Sequence, residues 1–227
     1  MKKKKMKINW REHKEALFFA YFILYLVWFF ALEQRGIEGM HLVTNPLDRY
    51  VPFCEYFIIP YYLWFVYLYG GCIYFYFKDR KGEFVKMMTA MEIGLTICLI
   101  VYTFFPNWQN LRPEVYPNNN IFTQVVQMLQ GFDTPTNVCP SIHVFGTIVM
   151  HIAIVRRDFG KHNRLIKLAS LVLAISVCLS TVFLKQHSVT DMLWGLALNA
   201  AMYVLVYVAP ELWCRRTGKT KAYVAEN

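Results

Sequence analysis

The sequence predicts an all-α membrane protein with six transmembrane helices, because both its composition and the spacing of its apolar residues are typical of a polytopic chain. Apolar residues make up 56% of the 227 residues and aromatic residues 17%, more than a soluble domain of this size usually contains. These residues occur in long blocks, and a membrane-spanning helix needs about 20 mostly apolar residues. We therefore expect the excess of apolar side chains to face lipid.

Six apolar blocks are predicted to cross the bilayer, at residues 16–32, 56–77, 84–105, 142–155, 165–184 and 192–209. The fourth is only about 14 residues long, which alone would be typical of a buried or interfacial helix. We count it as a span because the distribution of charge favours an even number of crossings. The first block follows a basic run but ends in bulky residues instead of a small-residue cleavage site, so we expect an uncleaved signal anchor.

The positive charges alternate between loops and predict the topology. The 24 lysines and arginines lie mostly at the amino terminus, around residues 78–86 and 156–167, and at the carboxyl terminus. The four exceptions are Arg35, Arg49, Arg112 and Lys185. The positive-inside rule then places both termini in the cytoplasm. The net charge of +9 is thus explained by topology and by attraction to anionic lipid headgroups rather than by nucleic-acid binding.

The predicted organisation is one membrane domain at residues 16–209, with a catalytic core at about 56–209. A basic cytoplasmic segment at 1–15 precedes it and a basic cytoplasmic tail at 210–227 follows it. Two outward segments are long, at 33–55 and 106–140, and the third, at 185–190, is short. Cys54 and Cys139 lie on the oxidising side, where they form either a disulfide or free packing thiols.

The first candidate site is the segment from Cys139 to His143. Pro140 suits the first position of a helix, where its missing N–H costs nothing. The free amides of such a helix start form an anion site, to which Ser141 would add a hydroxyl donor and His143 an imidazole at the rim. The alternative is a routine helix start with an interfacial histidine.

The second candidate site is the pair His187 and Asp191. Residues four apart share one face of a helix, and a carboxylate that accepts from one imidazole nitrogen leaves the other free to attack. The alternatives are a helix N-cap at Asp191 and a metal-binding pair. Arg112, before Pro113 in the second outward segment, could grip a phosphate with two N–H groups or could simply be solvated.

Taken together, these residues resemble the type 2 phosphatidic acid phosphatase superfamily, which includes lipid phosphatases and vanadium haloperoxidases. Its motifs are K-x6-R-P, P-S-G-H and S-R-x5-H-x3-D. This chain has Arg112-Pro113, then Pro140-Ser141-Ile142-His143, and then Ser180-Thr181 followed by His187 and Asp191.

The resemblance implies a six-helix bundle and a reaction that needs neither metal nor cofactor. His187 would attack phosphorus to give a phosphohistidine, Asp191 would orient it, and His143 would protonate the leaving alkoxide. Arg112 and Ser141 would hold the nonbridging oxygens. The substrate would be a phospholipid or a polyprenyl or sphingolipid phosphate, bound at the extracytoplasmic face of a membrane that we expect to be the plasma membrane.

The departures from the motifs concern the cations. Phe105 replaces the first-motif lysine, Ile142 the second-motif glycine and Thr181 the third-motif arginine, while Lys185 could supply one replacement. A pocket with fewer cations suits a singly charged phosphodiester better than a monoester. The Pro-Ser-Ile-His form resembles the inositol phosphorylceramide synthases and their bacterial relatives, which transfer a phospho-headgroup. Water or a lipid alcohol could be the acceptor.

Two other functions remain open from the sequence. One is a catalytically inactive relative that binds or moves lipids, although the retained histidines argue against it. The other is a small ion transporter, which would depend on Glu92 near the middle of the third block. His151, in the fourth block, could be the hydrogen-bonding partner of Glu92.

Overall fold

The computed structural model describes residues 14–79 and 81–217. Most of the predicted basic segment at 1–15, and the part of the predicted tail from 218 onward, lie outside the described residues. The helices are α1 (Leu17–Glu33), α2 (Ile58–Lys78), α3 (Glu83–Phe104), α4 (Ile121–Phe132), α5 (Ile142–Arg156), α6 (Asn163–Phe183), α7 (Val189–Tyr203) and α8 (Ala209–Arg216). A π-helical turn at Val204–Val208 joins α7 to α8.

The described part of the chain is mostly helical, as predicted. Five of its helical segments are long and apolar enough to cross a membrane: Lys14–Glu33, Glu55–Lys78, Glu83–Phe104, Gly160–Phe183 and Val189–Arg216. They correspond to five of the six predicted blocks. The sixth block is α5, an apolar helix of 15 residues, so its crossing of the membrane stays a prediction.

Helix α5 occupies the centre of the helical packing. It contacts α2, α3, α6 and α7, and most of its side chains are buried. Gly94 on α3 allows one of these contacts, because a Cβ atom there would lie 2.0 Å from the Cζ atom of Phe145 on α5. This packing fixes the position of the helix that begins just before His143.

One end of the packed helices carries most of the described cations. Arg156 lies 3.5 Å from Glu83 and 3.2 Å from Glu211, and Arg157 lies 3.0 Å from Asp79. These ion pairs join the ends of α2 and α5 to the beginnings of α3 and α8. They bring together helix ends that the charge pattern assigns to the same side.

The outward segments meet at the opposite end. A short parallel pairing joins β1 (His41–Leu42) to β2 (Asn107–Trp108). The buried side chain of Asn107 accepts from the backbone N–H groups of Val138 and Cys139 and donates to the Cys139 carbonyl. These hydrogen bonds fasten the beginning of the second outward segment to its end, directly before α5.

Two pairs of residues that the sequence suggested as partners do not bind each other. The suggested pair of Glu92 and His151 is wrong, because His151 Nδ1 lies 2.8 Å from the hydroxyl of Ser170 on α6. The alternatives for Cys54 and Cys139 are resolved in favour of free thiols.

Candidate active site

His143 lies in the first turn of α5. Ser141 is the N-cap of this helix, and its hydroxyl accepts from the Val144 amide at 3.4 Å. The helix therefore begins after Pro140 instead of at it, which corrects the predicted start. The His143 ring is buried against Trp64 and Tyr61, with ring centroids 4.5 and 4.8 Å away.

His187 lies just before α7, in the short outward segment, so its contact with Asp191 does not depend on a shared helix face. Ser188 is the N-cap of α7, and the Asp191 carboxylate reaches back to accept the Ser188 amide at 2.8 Å. The same oxygen lies 3.3 Å from His187 Nδ1. The alternative of an N-cap at Asp191 is therefore wrong: Asp191 is the third helical residue, where it completes a capping box with Ser188 and also contacts the histidine.

The contacts of His187 define which ring nitrogen carries the proton. Its Nδ1 atom faces the Val138 carbonyl at 3.0 Å as well as the Asp191 carboxylate. A carbonyl and a carboxylate can only accept, so Nδ1 must be the donor. In the neutral ring the lone pair is then on Nε2, as a nucleophile requires.

The two histidines lie close together, as the joint roles implied by the family resemblance require. His143 Nδ1 lies 3.3 Å from His187 Nε2, and the ring centroids are 5.4 Å apart. Because His187 Nε2 is the acceptor in the neutral ring, His143 Nδ1 is the donor in this hydrogen bond. The proton-bearing nitrogen of one ring therefore faces the lone pair of the other.

A small cavity of about 20 Å³ adjoins both rings. Its lining residues are Phe29, Asp133, Thr134, Thr136, Asn137, Val138, Ile142, His143, Gln186 and His187. This volume is enough for about one water molecule. An in-line phosphoryl transfer would need about 3 Å between the nucleophilic nitrogen and phosphorus, and about 3 Å between the acid nitrogen and the leaving oxygen. The two ring nitrogens are only 3.3 Å apart, so the rings must separate to admit a phosphate.

Arg112 lies beside this cavity but does not line it. Its Nη1 donates to the Gln130 carbonyl at 2.9 Å, and its Nη2 donates to the Asp133 carbonyl at 2.7 Å and to Gln186 Oε1 at 2.8 Å. Its buried Nε atom has no partner among the described residues. Burial lowers the pKa of the guanidinium, opposed mainly by the charge of Asp133.

Lys185 is directed away from the cavity lining. Its Nζ atom donates to the carbonyls of Asp48, at 3.0 Å, and Val51. Burial lowers its pKa, and the Asp48 carboxylate opposes that change. These contacts fasten the third outward segment to the first, so they do not support the predicted role of Lys185 in phosphate binding.

Asp48 makes the second contact between the same two segments. Its carboxylate accepts from the Ser188 hydroxyl at 2.7 Å and from the Val189 amide at 2.8 Å. An aspartate at a helix start satisfies free amides and favours the helix dipole. The turn that carries His187 is therefore held by residues from the first outward segment.

Two further groups near the site have shifted acidity. Burial raises the pKa of Asp133, although His187 and Arg112 oppose the shift. Burial and the neighbouring Asp191 raise the pKa of the Cys139 thiol to about 12. Ser141 is fully buried and its hydroxyl serves the α5 cap. Within residues 14–79 and 81–217, no group of three or more His, Cys, Asp or Glu side chains is arranged to hold a metal ion.

Sequence reasoning missed Gln186, Asp133 and Asp48. Gln186 and Asp133 line the cavity, and Asp48 holds the start of α7. The one available signal was that Gln186 is next to His187. Asp48 is 140 residues from Ser188, and no local pattern predicts such a contact.

The apolar helices and the paired buried histidines define an integral membrane protein with a candidate phosphate site. A model of the PAP2 superfamily matches residues 84–213, more than half of the chain, and the chain belongs to this superfamily. The superfamily includes lipid phosphatases, and its members are usually phosphatases or phosphotransferases. No curated protein and no solved structure matches the chain.

Proposed function

We propose that this protein is a lipid-phosphate phosphotransferase or hydrolase that works through a phosphohistidine on His187. The proposal rests on one observation: His187 Nε2 and His143 Nδ1 face each other at 3.3 Å beside a small cavity. A nucleophile with a free lone pair and a neighbouring proton donor are the two groups that this chemistry needs. Membership of the PAP2 superfamily supports the same reaction class.

In the first half of the reaction, a phosphate enters between the separated imidazoles. His187 Nε2 attacks phosphorus, and the bond from phosphorus to the leaving oxygen breaks. With the phosphate anion bound, His143 is the imidazolium, protonated on both ring nitrogens; its Nδ1 donates a proton to the leaving alkoxide and the ring becomes neutral. The Val138 carbonyl and the Asp191 carboxylate hold the Nδ1 proton of His187 and stabilise the positive charge that develops on its ring.

In the second half, the group that gave the proton becomes the base. His143 Nδ1, now unprotonated, accepts the proton of an incoming hydroxyl, and the hydroxyl oxygen attacks phosphorus. The bond from phosphorus to His187 Nε2 breaks and the starting state returns. Water as acceptor gives a hydrolase, and a lipid alcohol such as ceramide or diacylglycerol gives a transferase.

We infer that a phosphodiester is the preferred substrate. Among the described residues, Asp133 is the one that lines the cavity with a formally charged side chain. The guanidinium of Arg112 lies behind Gln186. A diester carries one negative charge and a monoester nearly two, and unmatched charge in a poorly solvated site is costly. This charge balance supports headgroup transfer of the kind that inositol phosphorylceramide synthases carry out.

We also propose that the site opens to the extracytoplasmic face. The support is the separation of charge along the helices. The ion-paired ends of α5 and α8 hold cations of the kind that the positive-inside rule assigns to the cytoplasm, and the histidines lie at the other end of α5.

The decisive experiment compares His187→Gln and His143→Gln with His162→Gln. His162 is an exposed histidine between α5 and α6, so the control carries the same substitution outside the site. Purified variants are incubated with lipid phosphate monoesters and diesters, with and without ceramide or diacylglycerol, and the products are identified by mass. We expect both site variants to lose turnover by at least about 10³-fold and the control to keep it.

Two outcomes would contradict the proposal. Full turnover by both folded site variants would exclude histidine chemistry at this site. A folded wild-type protein that turns over none of the lipids and forms no acid-labile phosphohistidine would favour a catalytically inactive lipid-binding relative. Ion flux into liposomes that depends on Glu92 would favour a transporter.

A further inference from the structure

We propose that the Gln186 side-chain amide is a phosphate-binding group of this site, and that Arg112 acts through it as a positioning residue. The proposal rests on the function inferred above and names one more group that would touch the substrate. In this proposal, the neutral Gln186 amide donates a hydrogen bond to the phosphate in place of the arginine that the family motif has at the position of Thr181. Thr181 is itself fully buried and donates to the Cys178 carbonyl.

The first observation is an unpaired donor in the cavity wall. Gln186 is 2% exposed and lines the cavity together with His143 and His187. Its Nε2 atom has no hydrogen-bond partner in the described part of the chain. A buried donor without a partner destabilises the folded protein, and its presence beside His187 is explained if a ligand oxygen accepts from it.

The second observation fixes the direction of the amide. Arg112 Nη2 lies 2.8 Å from Gln186 Oε1. A guanidinium has only donors, so it can be met by the oxygen of the amide and not by its nitrogen. The contact therefore excludes the flipped amide, and Nε2 points away from Arg112.

The third observation is that Arg112 is held in place by other groups. Two of its nitrogens donate to the backbone carbonyls of Gln130 and Asp133. A phosphate could take the two Nη atoms only if these bonds broke, and the unpaired Nε atom belongs to a side chain that does not line the cavity. The cation instead polarises the amide, because a charged donor on Oε1 strengthens donation from Nε2.

In the reaction, Gln186 Nε2 would donate to a nonbridging oxygen of the phosphoryl group. Charge builds on these oxygens in the transition state, and a fixed donor there lowers the barrier. A neutral amide with a cation behind it matches one negative charge without adding a full positive charge to the cavity. This arrangement agrees with a diester substrate.

The test uses two substitutions of Gln186 with different chemistry. Gln186→Met removes the donor at similar size and adds no charge, whereas Gln186→Glu keeps an acceptor for Arg112 but places an anion at the phosphoryl oxygens. We expect kcat to fall by about 10²-fold for Met and by 10³-fold or more for Glu. Inhibition by orthovanadate, a transition-state mimic, should weaken in the same order.

The matched control is Gln127→Glu. Gln127 is an exposed residue of α4, so the control adds the same charge without touching the cavity, and it should keep wild-type kcat and vanadate inhibition. Thermal unfolding of every variant separates loss of fold from loss of function.

Arg112 is tested through its coupling to Gln186. If Arg112 works through the amide, Arg112→Ala should lower kcat in the wild type but add less than about threefold in the Gln186→Met background. Fully additive losses would indicate an independent structural or binding role and would overturn the positioning role.

The two proposals fail differently. If His187→Gln abolishes turnover while folded Gln186→Met keeps kcat and vanadate inhibition within about threefold of wild type, the role of Gln186 is refuted and the phosphohistidine mechanism stands. If His187→Gln keeps turnover, both proposals fall.

Discussion

Replacing Asp191 by asparagine would separate the two roles of its carboxylate. Asp191 Oδ2 accepts the Ser188 amide at 2.8 Å and lies 3.3 Å from His187 Nδ1. An asparagine oxygen can still accept the Ser188 amide, so we expect the start of α7 to persist. The Val138 carbonyl, 3.0 Å from the same Nδ1 atom, should keep the proton there. Asp191→Asn therefore removes mainly a negative charge.

The magnitude follows from that charge. A full charge about 4 Å from a developing imidazolium is worth about 4 kcal/mol at an effective dielectric constant of about 20. The amide dipole retains part of this stabilisation, so we expect a loss of about 3 kcal/mol, or about 10²-fold in kcat. Where a carboxylate alone fixes the tautomer, the corresponding substitution costs about 10⁴-fold, and the Val138 carbonyl is the reason for the smaller value here.

The assay is kcat on the best lipid substrate, combined with nitrogen NMR of labelled histidine to locate the ring proton. We expect the Nδ1–H tautomer of His187 in both proteins. A folded Asp191→Asn variant with kcat within fivefold of wild type would refute the electrostatic role. A loss of 10⁴-fold together with a shift of the proton to Nε2 would refute the role given to the Val138 carbonyl.

Three further predictions concern packing, Lys185 and pH. Gly94→Ala should lower the free energy of unfolding by about 1–3 kcal/mol, because the new Cβ atom would meet the buried Phe145 ring. The control Gly131→Ala adds a Cβ atom in open space and should have no such effect. Equal melting temperatures of the two variants would contradict this prediction. Lys185→Met should lower the melting temperature but leave orthovanadate inhibition within about threefold, and a tenfold weakening without loss of stability would restore its predicted phosphate role. The raised pKa of Asp133 means that its ionised form is penalised in the folded protein. Asp133→Asn should therefore raise the melting temperature at neutral pH. This increase should become smaller as the pH falls toward the ordinary aspartate pKa of about 3.9. An increase that is the same at every pH would exclude the ionisation of Asp133 as its cause.

The helices and the histidine pair could be predicted from sequence because their causes are local or are written into a motif. Long apolar blocks specify membrane-length helices, and the spacing of His143, His187 and Asp191 matches a known pattern. The last predicted block began at residue 192, whereas α7 begins at Val189, because Ser188 and Asp191 form a capping box ahead of the apolar residues.

The roles of the remaining polar residues depend on tertiary contacts. Nothing near Lys185 in sequence indicates that carbonyls of Asp48 and Val51 bind its ammonium group. In the same way, the direction of the Gln186 amide is set by Arg112, 74 residues earlier. Periodicity and composition carry no information about such pairs.

The contact between Asp48 and the beginning of α7 bears on the design of chimeras of this protein. Asp48 precedes the family-matched region at residues 84–213, yet its carboxylate accepts from the Val189 amide and the Ser188 hydroxyl beside His187. A chimera that transfers only the matched region to another scaffold would leave those two donors without their acceptor and the turn that carries His187 without its support. A chimera that is meant to keep the geometry of this site would therefore also have to include the loop that follows α1.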